Sequence, residues 1–208
     1  MFVMTVDQRG SRRDVDRVDD VLHSPRPALV RPFERTAGDE IQAVADTADT
    51  VLDVALDLVD DGHWSIGIGV GPVEHPLPES TRAGRGPAFE SAREAVESAK
   101  SAPARIAVRG VDADSAADAD AVVALLAVLV ARRTEQGRDA ISALRRLGSQ
   151  NAVAEALSIT PQAVSQRLAV AGWHLERAAR PVVARMLATA DRRADEATAD
   201  RPSRKATP

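Results

Sequence analysis

SQNAVAEALSITPQAVSQRLAVAGW, residues 149–173, contains two helix starts close together. Ser149 is placed to cap a helix from Gln150 to Leu157. Thr160 is placed to cap a second, whose first position, Pro161, loses nothing by lacking an N–H. Val153, Leu157, Ile159, Val164 and Leu168 have the spacing to bury one face of each helix against a preceding helix around Ile141, Leu144 and Leu147. Ala154 is small where two helices must cross closely. Two short helices joined by a tight turn are therefore predicted, with Ser158 in the turn, where a positive φ would strain any residue but glycine.

Outward from this stretch, the charge changes sign along the chain. Residues 1–131 carry 13 Lys and Arg against 23 Asp and Glu, whereas residues 132–208 carry 14 against 8. A basic carboxy-terminal part joined to an acidic partner domain is the pattern of a nucleic-acid-binding module attached to something else. Aromatic residues are 2% of the chain and tyrosine is absent, so base stacking on rings is not the expected binding mode. With no cysteine there is no disulfide framework, thiolate metal site or cysteine nucleophile, which fits a cytoplasmic protein. The apolar start MFVMTV lacks the preceding basic residues of a secretory signal and reads as a buried strand. The run AVVALLAVLVA, Ala121 to Ala131, is about half of the roughly 20 residues a membrane span needs, so no membrane is expected. It reads as a core or dimer-interface helix.

The amino-terminal part alternates period. Residues 2–6 read as a strand ending at Asp7, and Arg12 to Leu22 as a helix capped by Ser11. A hairpin is predicted over Pro32 to Arg35 and Glu40 to Val44 around Gly38. Asp46 to Asp60 reads as a helix with an acidic outer face, HWSIGIGVG (63–71) as a strand whose glycines allow close packing or a ligand, Gly86 to Lys100 as a helix, and Arg105 to Val108 as a last strand. The order β-α-β-β-α-β-α-β predicts an α+β, ferredoxin-like domain over residues 1–112. Residues 113–190 are expected to form an all-α module, and the polar segment 191–208 a disordered tail.

Gln150, Ala154, Leu157, Ile159, Thr160, Val164 and Ser165 match the pattern of the helix-turn-helix family of bacterial regulators, which the carboxy-terminal module therefore resembles, Ser158 replacing the usual glycine. The resemblance implies double-stranded DNA as partner. Gln162, Ser165 and Gln166, on the first turns of the second helix, become candidates for base edges, and Arg167, Arg145 and Arg146 for phosphates. Trp173 reads as a core anchor. A homodimer is expected by analogy with regulators that read paired half-sites.

TVDQRGSR (5–12), RTAGDEIQA (35–43) and GPAFESARE (86–94) resemble segments of the palm-like domain of class III nucleotide cyclases and GGDEF cyclases. Such a domain followed by a helix-turn-helix is similar to the SatD family. The resemblance implies that Asp7 and Asp39, with Glu40 as a further ligand, hold Mg2+ or Mn2+ with a nucleotide. By the residues alone, both Asp7 and Asp39 read equally well as strand-end and turn acids. Arg35 is the candidate for a nucleotide's base or phosphate, its plainer reading being a surface strand residue. Where the cyclase helix supplies an Asn and an Arg, this chain has Glu90 and Glu94, or Arg93 on a shifted register; two carboxylates would repel a triphosphate. The expected function is a DNA-binding transcriptional regulator whose amino-terminal domain senses a nucleotide or mediates dimerisation. A nucleotidyl-transfer enzyme and a pure interaction module are the alternatives.

Overall fold

A computed structural model describes residues 1–199 apart from Arg12, Pro25 and Pro27. Within them the chain is α+β, with a five-stranded mixed sheet. The strands are β1 (Phe2–Gln8), β2 (Arg31–Ala37), β3 (Glu40–Ala45), β4 (Trp64–Val70) and β5 (Ile106–Gly110). Their spatial order is β2-β3-β1-β4-β5: β1 runs antiparallel to both neighbours, β2 pairs antiparallel with β3, and β5 joins β4 in parallel. The helices are α1 (Val18–His23), α2 (Ala48–Asp61), α3 (Pro87–Ser101), α4 (Ala113–Ala131), α5 (Glu135–Leu147), α6 (Gln150–Ala156), α7 (Pro161–Val170) and α8 (Trp173–Ala199).

Alternation along β1 divides the interior. Phe2, Met4 and Val6 enter a large core with α2, α4 and α8, while Val3 faces the opposite side with Val44, Phe89 and Ala92 beneath α3. The glycines of β4 answer the choice left open by the sequence. A Cβ on Gly67 would stand 2.3 Å from the backbone nitrogen of Val96, and one on Gly69 2.0 Å from the carbonyl of Ala88. They let α3 lie directly on the strand.

Three expectations are corrected. The helix predicted from Arg12 to Leu22 is confined to α1; before it, the buried Gln8 side chain donates to the Val15 carbonyl and accepts from the Arg17 N–H, which holds the segment in turns. Ser11 caps nothing there, and Arg12 lies outside the described residues. The expected division at residue 112 is not a break in packing: Ala119, Val123, Leu126, Ala127 and Val130 of α4 and Val183, Leu187 and Ala190 of α8 share one core with the sheet. Finally, the expected tail from 191 begins as helix, since α8 continues to Ala199 and buries Ala190 and Ala194; residues 200–208 lie outside the described residues.

The stretch with a core of its own is α5–α7. Ala140, Ile141, Ala143, Val153, Ala154, Val164, Leu168 and Ala171 close it, with Leu144, Leu157, Ile159 and Trp173 packed around them. Leu147, expected inside, is exposed, because Gly148 in the left-handed conformation (φ 78°) turns the chain there.

Candidate nucleic-acid interface

The turn between α6 and α7 is built by backbone hydrogen bonds that overlap. The N–H of Ile159 donates to the carbonyl of Ala154 and that of Ser158 to the carbonyl of Glu155, at 2.9 and 3.2 Å. This pair of bonds closes a helix end only if the residue between is left-handed, and Ser158 has φ 53°. Thr160 then caps α7 by accepting from the N–H of Ala163, just as Ser149 caps α6 by accepting from that of Ala152. Both caps are where the sequence predicts them.

With Val164 and Leu168 buried, the helical period puts Gln162, Ser165 and Gln166 on the outer face of α7, where all three are exposed. Arg167 is half-buried on the same helix, and Arg146 at the end of α5 is exposed. These five candidates are open to a partner. Arg145 is not comparable. Its guanidinium lies 3.2 Å from Asp57 and 3.4 Å from Glu176, and stacks 5.6 Å from the centre of the Trp173 ring. The expectation of a free phosphate contact at Arg145 is thus corrected to one of a residue committed within the protein.

That commitment belongs to a network the sequence did not single out. Glu176 of α8 is fully buried and meets three guanidiniums: buried Arg133, Arg145, and Arg180 at 2.6 Å one helical turn on. Arg180 also pairs with Asp53, and Arg138 reaches Asp60 at 3.1 Å. Burial pushes the Glu176 carboxyl up, but the hydrogen bond from Arg133 and the charges of Arg180 and Arg133 outweigh it and hold the group below its ordinary value. The acidic face of α2, read in the sequence as the helix's outer face, is what docks α5 and α8. Only Glu176–Arg180, at i and i+4, had a local signal; the others are far apart in sequence.

In the amino-terminal layer the predicted acids come near one another without forming a cage. Asp7 on β1 is paired across the ladder with Glu40 on β3, next to Asp39 in the turn. Burial raises the Asp7 carboxyl, partly opposed by Lys100, whose ammonium is 3.1 Å away, and reinforced by the negative charge of Asp39 and Glu40. Glu40 accepts from the Thr36 hydroxyl at 2.5 Å. Among the described residues no group of three or more His, Cys, Asp or Glu is disposed to hold a metal ion. Lys100 supplies the positive charge that a divalent cation would otherwise bring, so these residues do not fit the Mg2+ or Mn2+ site that the cyclase resemblance implies. Arg35, the nucleotide candidate, is bound to Asp16 and Asp19 at 2.9 and 3.1 Å and donates to the Gly38 carbonyl. It braces the hairpin against α1 and the segment before it.

No described helix is long and apolar enough to cross a membrane. Comparison of the chain with family models, with curated proteins and with solved structures finds no match.

Proposed function

We propose that the chain is a DNA-binding transcriptional regulator in which α5–α7 form a helix-turn-helix module and α7 reads the major groove, a function exercised in the cytoplasm. The observation that carries this reading is the exposed row Gln162, Ser165 and Gln166 on the first turns of a capped helix whose other face is closed by its own core. Side-chain amides can bond adenine in a bidentate manner, and the serine hydroxyl either base or phosphate. Arg146 and Arg167 supply phosphate contacts.

The antiparallel order β2-β3-β1-β4 supports a ferredoxin-like, cyclase-related layer, and with the helices after it the proposed kinship to the SatD family. In this chain the layer serves as scaffold and assembly platform rather than as a nucleotide sensor, because Lys100 and the partners of Arg35 occupy the groups a nucleotide and its metal would need.

The test is anisotropy titration of DNA selected from random duplexes, at several salt concentrations. Arg146→Ala and Arg167→Ala are expected to weaken binding to all sequences alike and to reduce the salt slope by about one per lost contact. Gln162→Ala and Gln166→Ala are expected to cost roughly 1–3 kcal/mol on the preferred site and leave the slope unchanged. Binding indifferent to all four would remove α7 from the groove and turn the module into a protein-interaction surface.

A further inference from the structure

The outer face of α4 carries a stripe of which only Val128 packs on the chain's own core. Asp114, Asp118, Ala121, Leu125, Val128 and Arg132 follow one another at spacings of four and three, a single stripe along the helix. Leu125 is 71% exposed, whereas Val123, Leu126, Ala127 and Val130 on the inner face are buried against the sheet. Beside the stripe α8 adds exposed Val182 and half-buried Met186, which share one shallow groove with Asp118, its other walls being the polar Ser115, Arg185, Thr189 and Arg193. Exposed Leu125 and Val182 on two packed helices, rimmed by polar groups, mark an association surface.

The charges at its ends say what associates. Asp118 lies seven residues before Leu125 and Arg132 seven after it, about 10 Å to either side along the axis. Both side chains are exposed, and among the described residues neither is in an ion pair. If α4 of one chain meets α4 of another antiparallel on a two-fold axis through Leu125, each Asp118 falls opposite the other's Arg132. Val122 then meets Val128, and Leu125 meets itself. A partner of unrelated sequence would have no reason to match this symmetry, whereas an isologous interface requires it.

We propose that a second copy of this chain docks on the α4–α8 face, in an antiparallel pairing of the two α4 helices centred on Leu125 and closed at both ends by Asp118–Arg132 pairs. The pairing deepens the regulator reading, since two copies present two α7 helices, but it stands on the surface alone.

The experiment is sedimentation velocity on the full chain over a concentration series, without DNA. A dimer is expected. Leu125→Asp should weaken it more than roughly a hundredfold, as loss of a central anchor does, with the circular dichroism and melting curve of the monomer unchanged. Asp118→Arg and Arg132→Asp should each weaken it by placing like charges opposite one another, and the double variant should restore it. The chain has no cysteine, so Leu125→Cys offers an independent readout: mild oxidation should join it to itself as a covalent dimer. A monomer at tens of micromolar, or a dimer that survives Leu125→Asp and both charge reversals, would overturn the proposal. Since no readout contains DNA, failure here leaves the DNA reading intact, and failure of that reading leaves the dimer.

Discussion

Two side chains carry strain or charge that a single substitution exposes. Ser158 has the φ a glycine would adopt freely, and its N–H is bound within the turn. Ser158→Gly removes the steric cost of the left-handed conformation but adds freedom to the unfolded chain, so a net gain of roughly 0.5–1 kcal/mol is expected in urea unfolding. A loss would mean that the hydroxyl contributes more than the backbone costs. Glu176 has the opposite sign. Replacing it by Gln leaves buried Arg133 without its counter-ion, for which roughly 3–5 kcal/mol of lost stability is expected. The same group sets an acid limit. Its folded carboxyl lies below the ordinary 4.5, so the unfolded chain takes up the proton first. The stabilisation is fully present above that pH and drains away as pH falls through the folded value. The fall in stability on acidification should therefore be shallower in Glu176→Gln than in the parent chain, and equal slopes would show that other carboxylates dominate.

At the scale of elements, the contact of α3 with β4 depends on two missing side chains. Gly69→Ala drives a methyl group into the Ala88 carbonyl, with no flexible atom to yield, and should cost roughly 1–3 kcal/mol or more through displacement of α3. A neutral result would show that α3 shifts freely on the sheet. Element identity was largely legible in the sequence because period and caps are local: Thr160 with Pro161, and Ile66, Ile68 and Val70 alternating with small residues, announce a helix and a strand without reference to anything distant. The segment before α1 was misread because its organiser is Gln8, a polar residue at the end of a strand whose two backbone partners lie seven and nine residues on. Nothing in helical periodicity reports a buried amide bridging a turn.

Across the whole molecule, the basic module is held by the acidic α2. Asp53, Asp57 and Asp60 engage Arg180, Arg145 and Arg138, so part of the positive charge that would meet DNA is neutralised within the chain. Replacing the three aspartates by asparagine should release Arg138, while Arg145 keeps Glu176 and the Trp173 ring, raising affinity for arbitrary DNA and steepening its salt dependence by about one. An unchanged slope would mean that Arg138 does not face the duplex. The division of the chain was the least legible feature. The pattern becomes wholly helical after Asp112, but packing does not break there, since the apolar faces of α4 and α8 find their nearest partner surface on the sheet. The misfit to the metal site that the resemblance implies was illegible for a related reason: Lys100 comes from α3, far from Asp7 in sequence, and only the crossing of α3 over β1 brings them together.

The large sheet core and the small core of α5–α7 also make the protein its own pair of optical probes. The chain has two tryptophans and no tyrosine, so near-ultraviolet excitation reaches indole almost alone. One indole, Trp64, is buried in the sheet core with its Nε1 donating to Asp61; the other, Trp173, sits at the edge of the small core with the guanidiniums of Arg145 and Arg177 over its ring. Each core thus emits from a different environment, and replacing one indole by phenylalanine leaves a single lamp in the other. Events at the α2–α5 contact can be watched by the colour of Trp173 while Trp64 reports whether the sheet has noticed.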